Sequence, residues 1–319
     1  MAQPTHTFDS YDSVGIREDL EDVIYDVSPE ETPFYSASAK VKATQAFHEW
    51  QTDALRASEA NAHIEGDDTT ADARTATSRL GNYSQIFKNA VVIPDSDDTT
   101  DKAGRGKEMA YQVMKIAKEQ KLDIEKALFA NNARVAGDSS TARELAGIPA
   151  WLITNVNFQS GSSGANPTGD GTDARTDDGV PTAFSQTKFD SVLQTAYTNG
   201  GRRIDTCYLS PFQMNLALGF EGNNNQRAQI MADSKKVVNN IAIYMTPWGD
   251  VTFQPSLENR SRDVFLLDSS HWKVAVKRPT KNVPLAKTGD NSKRQVTTEL
   301  TLVSANEKAS AGIFDNTTS

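Results

Sequence analysis

The sequence contains a single cysteine, Cys207, among 319 residues. One thiol cannot form an intramolecular disulfide, which is the usual situation for a protein of a reducing compartment. Cys207 lies in the apolar stretch Thr206–Leu209, with no nearby base in the sequence. We therefore expect a buried structural thiol rather than a nucleophile.

Positive charge is also scarce, with 33 Lys and Arg against 42 Asp and Glu and a formal net charge of −9. Nucleic-acid binding depends on clustered cations that neutralise phosphates, so this balance argues against a general nucleic-acid binder. No window approaches the roughly 18 apolar residues of a membrane span, and the amino terminus lacks the pattern of a signal peptide. We expect a soluble protein, made in the cytoplasm, with no membrane partner.

The residue patterns of catalytic and metal sites are missing as well. Gly104–Lys107 lacks the first glycine, the preceding strand and the following Ser or Thr of a phosphate-binding loop. Asp-Gly clusters within residues 169–179 fail the EF-hand spacing, which leaves either a solvated loop or an adventitious cation site. Four histidines lack the neighbours that a metal site requires: His6, His48, His63 and His271. We predict no enzyme, no cofactor and no metal, with a soluble hydrolase as the remote alternative.

The first third of the chain predicts an arm and a projecting hairpin. Residues 1–13 are polar, Val14–Val27 has the pattern of a short amphipathic helix, and two prolines within Ser28–Phe34 favour extended or turn geometry. Strands are predicted over Ala46–Leu55 and Arg79–Ile93. The intervening Arg56–Thr77 is rich in Ala, Asp and Thr and cannot build a core of its own. The pattern is therefore a long hairpin that needs a neighbour to rest on.

One long helix is predicted over Thr99–Asn132. Thr99 or Thr100 can cap its start, and Lys121 can pair with Glu125 on its exposed side. About 30 residues at ~1.5 Å each would make a rod of about 50 Å. Apolar residues at a mostly three-and-four spacing form one stripe: Met109, Val113, Ile116, Ala117, Ile124 and Leu128.

A second unit follows a long loop at 157–182 that is rich in Gly, Ser, Asp and Pro. It begins with a helix over Ser185–Asn199 that two glycines terminate. A further helix starts at Ser210-Pro211 and runs through Leu218. The remaining chain reads as strands, which makes the fold class α+β: Thr206–Leu209, Val237–Thr246, Val251–Gln254, Val264–Leu267 and alternating runs that begin near Trp272 and Val296.

The candidate functional residues are charged groups on the hairpin and on the long helix. The hairpin carries Glu65, Asp67, Asp68, Asp72 and Arg74. Carboxylates on a loop are usually only solvated, and here the alternative is contact with basic groups of a neighbouring subunit. The basic groups that we single out as partners are Lys115, Lys118 and Lys121 on the long helix.

The order of these segments resembles that of the Hong Kong 97-type major capsid proteins of tailed bacteriophages. The start of the chain resembles a podophage-type branch of that family in Tyr11–Leu20 (YDSVGIREDL), Ile24-Tyr25, Val27–Pro29 and Thr32–Phe34. Leu302–Ala309 (LVSANEKA) resembles the closing strand. The resemblance implies an N-terminal arm (1–45), an extended loop hairpin (46–94), a peripheral domain (95–183) with spine helix 99–132, an axial α/β domain (184–270) and return β strands of the peripheral domain (271–319).

The resemblance also implies a function and partners. Copies would assemble as hexamers and pentamers into an icosahedral shell around double-stranded DNA, with each extended loop on the adjacent subunit's spine. A portal protein would complete the virion capsid, a decoration protein is a further candidate partner, and the start of the chain near its capsid motif favours a separate scaffolding protein. An encapsulin-like nanocompartment shell is the alternative that keeps the same fold.

Overall fold

The computed structural model describes residues 31–318 except 67, 69–70, 101, 103–105, 159–163, 202 and 221–242. The helix predicted over Val14–Val27 and the first part of the strand predicted over Val237–Thr246 lie outside these residues. The described helices are α1 (Pro33–Ala37), α2 (Asp95–Thr99), α3 (Glu108–Phe129), α4 (Gln186–Gly200) and α5 (Pro211–Ala217). The described strands are β1 (Ala39–Lys42), β2 (Phe47–Thr52), β3 (Ser78–Tyr83), β4 (Gln85–Pro94), β5 (Val156–Asn157), β6 (Thr206–Leu209), β7 (Ile243–Thr246), β8 (Gly249–Pro255), β9 (Val264–Leu267), β10 (Trp272–Pro284), β11 (Asn291–Ser304) and β12 (Ala311–Ile313).

A four-stranded sheet of order β1-β10-β11-β4 carries the long helix α3. Strand β1 is parallel to β10, whereas β10, β11 and β4 pair antiparallel. Ile124 and Leu128 of α3 are buried in the core against the sheet residue Leu300, which confirms the apolar stripe at that end of the helix. The Gln120 amide donates to the Val296 carbonyl oxygen at 3.2 Å and so also fixes the helix on the sheet.

The helix is shorter than predicted at both ends. It begins at Glu108 and not at Thr99, so 22 residues make a rod of about 33 Å. The Thr99 and Thr100 hydroxyls donate to the Ser96 carbonyl inside α2 instead of capping α3. The start of α3 is satisfied from α2, because the Asp98 carboxylate accepts from the Met109 amide at 3.1 Å.

The predicted hairpin forms, but its second strand is divided. Strands β2 and β3 pair antiparallel from Phe47↔Tyr83 to Thr52↔Ser78. The single strand predicted over Arg79–Ile93 is wrong, because the chain leaves this two-stranded sheet at the buried Ser84 and enters the four-stranded sheet as β4. The Ser84 hydroxyl donates to the buried Glu299 carboxylate at 2.7 Å, which anchors the change of sheet.

In a six-stranded sheet of order β5-β12-β9-β6-β8-β7, the central strands β12, β9 and β6 are largely buried on both faces. Alternate residues face different cores: Tyr208 and Phe265 pack with α3, while Cys207 and Leu266 pack with α4 and α5. This explains why β6 and β9 read as continuous apolar runs. Cys207 is fully buried, as predicted, and burial raises the pKa of its thiol.

The helices of the second core follow their predicted boundaries closely. The Ser185 hydroxyl caps α4, and Gly201 ends it with a left-handed φ of 61°. The Ser210 hydroxyl caps α5, whose first residue is Pro211. In the N-terminal segment the extended geometry predicted around Pro33 is wrong, because Pro33 starts the short helix α1, a position where its missing N–H costs no hydrogen bond.

Candidate inter-subunit surfaces

The loop between β2 and β3, residues 53–77, is exposed at every position that the structure describes. We call it the tip loop. Its described ion pairs are local: Arg56 contacts Glu59 at 2.8 Å, and Arg74 contacts Asp72 at 4.0 Å. Exposed pairs of this kind add little stability. Both pairs join residues within the loop itself.

The predicted tip residues Glu65, Asp68, Asp72 and Arg74 all lie on this exposed loop, and Asp67 lies outside the described residues. Sequence reasoning missed the apolar side chains beside them. Leu55 is 99% exposed and Ile64 is 83% exposed. The acidic loop therefore also carries two large aliphatic side chains that its own subunit leaves in water. The sequence did contain a signal for these exposed apolar groups, because Ile64 is an isolated aliphatic residue next to Glu65.

The base of the hairpin is, by contrast, tied to the core. The Trp50 ring lies 5.4 Å from the buried Trp151 ring. The Asn82 amide donates to the Leu302 carbonyl at 3.0 Å, and its side-chain oxygen accepts from the Ala146 amide at 2.9 Å. The hairpin therefore presents an exposed loop on a base that packs against the core.

The predicted partner lysines lie on α3. Lys115 is exposed, with a 3.9 Å contact to Glu119, and Lys121 is exposed with no ion pair among the described residues. Lys118 is half-buried and lines a groove with Lys121, Thr32 and Gln254. Within one subunit, no described ion pair joins the tip loop to these lysines.

The predicted pairing of Lys121 with Glu125 is wrong, because Glu125 is fully buried. Its two carboxylate oxygens accept from the Phe34 amide at 2.9 Å and the Tyr35 amide at 2.7 Å. Burial raises the pKa of Glu125 to about 7, although the two amides and the Lys40 ammonium oppose that shift. Glu125 therefore fastens α1 to α3, and it is not a partner of Lys121.

A second groove lies between the start of α3 and the turn that joins β10 to β11. Its apolar lining comes from Met109, Ala110, Val113 and Leu285. Its remaining lining is mostly basic or polar: Asp98, Lys107, Asn282, Pro284, Lys287, Ser292, Lys293 and Arg294. Of the cations, Lys287 already pairs with Asp95.

The geometry around His271 does not support a hydrolase. The Ser270 hydroxyl and the Asp268 carboxylate both contact the same ring nitrogen, Nδ1, at 2.9 Å. A catalytic triad needs the nucleophile and the acid on opposite ring nitrogens. No group of three metal-ligating side chains occurs in the described part of the chain, and none of its helices is long and apolar enough to cross a membrane.

Comparisons of the sequence and of the structure with known proteins both identify capsid proteins as relatives. The model of the SU10 major capsid protein family matches residues 3–317. A major capsid protein of Escherichia phage Phieco32 is 29% identical over 350 residues, covering 98% of each chain. The cyanophage A-1(L) capsid subunit superposes with a TM-score of 0.64 at 12% identity, over 95% of this chain and 98% of that one. An encapsulin of Synechococcus elongatus superposes with a TM-score of 0.53 at 9% identity, over 90% and 89%.

Proposed function

The chain belongs to the SU10 major capsid protein family, and from this premise we propose that its copies assemble as hexamers and pentamers into the icosahedral shell of a phage head. The observation that carries the proposal is the family match, which spans nearly the whole chain. The protein is a major capsid protein of a tailed bacteriophage with the Hong Kong 97-type fold, as the sequence resemblance predicted. A structural role in the shell requires no catalysis.

An encapsulin-like compartment is the weaker alternative. The fold likeness extends to an encapsulin, but at a lower TM-score than for the cyanophage capsid, 0.53 against 0.64. Likeness at 9–12% identity reports the fold and not the cargo. The family match and the Phieco32 relative favour the phage head.

The domain assignment remains the one that the resemblance implies. The core built from α3 and the four-stranded sheet suits the peripheral domain, residues 95–183 with 271–319, and the core around α4 and α5 suits the axial domain, residues 184–270. Within residues 46–94, the hairpin of β2 and β3 suits the extended loop, whereas β4 belongs to the four-stranded sheet. The assignment of residues 1–45 to an N-terminal arm rests on the resemblance alone. Strand β12, although near the end of the chain, pairs with β9 in the six-stranded sheet and so links the two cores.

We propose that the tip loop rests on the spine helix α3 of the adjacent subunit. The acidic side chains of the loop would then face Lys115, Lys118 and Lys121 of the neighbour. Two observations support this contact: the loop is exposed throughout its described part, and Lys121 has no ion pair among the described residues. Burial of such surfaces between subunits would supply stability that a single copy lacks.

The shell would enclose double-stranded DNA without binding it sequence-specifically. A net charge of −9 opposes tight phosphate binding, so a packaged genome is confined without being held to the wall. A separate scaffolding protein and a portal protein are the partners that such assembly needs, and a decoration protein would bind the outer surface. The protein would be made in the host cytoplasm and end in the virion.

Deletion of residues 65–75 tests the loop contact. The deleted segment is exposed wherever the structure describes it, so the subunit should keep its circular dichroism spectrum and melting temperature. Shell formation, followed by sedimentation and electron microscopy in the presence of the scaffold, should be lost or strongly reduced. A Gly-Ser segment of equal length is the matched control for chain length. Normal shells from the deleted chain would show that the loop is not a clamp.

A further inference from the structure

The exposed face of α3 connects the groove at the start of the helix with the groove around Lys118 and Lys121. We call this face the track. Ala110, Met114 and Lys121 follow one another at i, i+4 and i+11, so they lie along one side of the helix. Met114 is 57% exposed, an unusual position for a large apolar side chain on a helix whose opposite face is buried. The track is about 16 Å long from Ala110 to Lys121.

The two ends of the track differ in chemistry. At the start of α3 the groove has an apolar floor of Met109, Val113 and Leu285, of which Leu285 is 40% exposed. Exposed Lys107 and Arg294 stand at its rim without an ion pair in the described part of the chain. At the other end, the groove is lined by Lys118 and Lys121 together with Glu31, Thr32, Pro33, Ser36, Ala37, Gln254 and Pro255. Large aliphatic side chains therefore line only the first groove, which is also the more basic of the two.

The apex of the tip loop carries the complementary chemistry. Ile64 precedes a turn at Gly66, whose φ is 84°, and is followed by Glu65 and Asp68. The loop as a whole is acidic, with six carboxylates and two arginines in residues 53–77. An aliphatic group next to carboxylates matches an apolar floor next to cations.

We propose that Ile64 of one copy inserts into the groove at the start of α3 of a second copy, between Lys107 and Arg294. This inference rests on the proposed loop–spine contact and adds its anchor.

Disulfide trapping tests the anchor, because the sole native cysteine, Cys207, is fully buried and stays silent. Two full-length chains are coexpressed: a tagged Ile64→Cys chain and an untagged Leu285→Cys chain. Particles are oxidised and run on a non-reducing gel. We expect a covalent dimer of a tagged with an untagged chain, since docking brings the two sulfurs within the range of a disulfide. Two matched controls, Ile64→Cys with Lys121→Cys and Leu55→Cys with Leu285→Cys, should give at least tenfold less.

The outcomes separate this inference from the proposed function. Trapping through Lys121→Cys but not Leu285→Cys would overturn the anchor and leave the loop–spine contact standing. The absence of trapping in particles that form normally would also overturn the anchor, while the loop deletion reports independently on the clamp.

A charge exchange covers the case in which cysteine chains do not assemble. Lys107→Glu with Arg294→Glu should reduce shell yield at least tenfold, because the groove would then repel the apex. Glu65→Lys with Asp68→Lys in the same chain should restore it. Assembly that is unaffected by the first pair, or loss that the second pair fails to rescue, would contradict the insertion of Ile64 at this site.

Discussion

The tip loop and the 164–182 loop are both long and polar, but they differ in how far the rest of the subunit buries them. Both are rich in Asp and Thr, and both read from sequence as weak connections. The tip loop is exposed throughout its described part, whereas the 164–182 loop buries Arg175, Asp178 and Gly171. Residues 164–182 form a loop as predicted, but the part within 169–179 that was expected to be solvated is partly buried.

The difference comes from a few charged groups and not from hydrophobicity. Arg175 is buried with its guanidinium 3.6 Å from the centre of the Phe314 ring, and it donates to the Leu152 carbonyl at 2.6 Å. The Asp315 carboxylate accepts from the Asp178 amide at 3.0 Å and from Arg262 at 2.7 Å. A loop without an apolar core can thus be ordered by buried polar partners.

The largest expected contrast is between two arginines. In unassembled subunits, Arg175→Ala should lower the free energy of unfolding by about 3–5 kcal/mol, because it leaves buried partners uncompensated. Arg74→Ala, at a side chain that is 82% exposed, should change it by less than about 0.5 kcal/mol. Chemical denaturation monitored by tryptophan fluorescence measures both. Equal effects would mean that the 164–182 loop is no better held than the tip loop.

A matched pair of glycines gives the next contrast. Gly66 and Gly171 have nearly the same left-handed φ, 84° and 81°, so Ala costs about 1–2 kcal/mol in backbone strain at either position. At Gly171 an added Cβ would also lie 2.8 Å from the buried Trp151 ring, whereas at Gly66 nothing lies within 4 Å. We expect Gly171→Ala to cost about 1–3 kcal/mol more than Gly66→Ala. Melting curves of the two variants measure this excess, and its absence would show that Trp151 can yield.

Local signals predicted the elements of the second core well. The boundaries of α4, β6, α5 and β9 match because a cap, a proline or a glycine marks each helix end and apolar runs mark the strands. The start of α3 was missed because a cap from a different helix, Asp98, has no signature in the helix itself. The break at Ser84 was missed for a similar reason, since its partner Glu299 lies 215 residues away.

The candidate site was predictable only in part. The exposure of the acidic loop followed from its lack of apolar residues, but sequence spacing placed Glu125 on the outside of α3 when the structure buries it against α1. That error concealed the reason why Lys121 is unpaired within the described chain. The groove at the start of α3 combines residues from α3 and the β10–β11 turn, far apart in sequence, so no local pattern could reveal it.

The smallest expected contrast between the two loops concerns how the stability of the subunit depends on pH. We expect this dependence to come from the charged network around the 164–182 loop. Asp263 is fully buried, and burial raises its pKa to about 7, although Arg260 at 2.9 Å and the more distant Arg175 oppose that shift. The carboxylates of Asp177 and Asp315 also face Asp263 and favour its protonated form. A carboxyl whose pKa is higher in the folded state contributes its full stabilisation of the fold at pH values below its unfolded pKa of 3.8. That contribution is lost as the pH rises through the folded pKa of about 7.

Unassembled subunits should therefore lose stability between pH 5 and pH 8, and melting temperatures across this range would show the slope. The buried Glu125, whose pKa is also raised to about 7, acts in the same direction, so Asp263→Asn should flatten the slope without abolishing it. Asp72→Asn removes the same charge from the exposed tip loop and should leave the slope as it is in the unaltered chain. A slope that Asp263→Asn leaves intact, or that Asp72→Asn reduces equally, would mean that the buried charges do not distinguish the two loops.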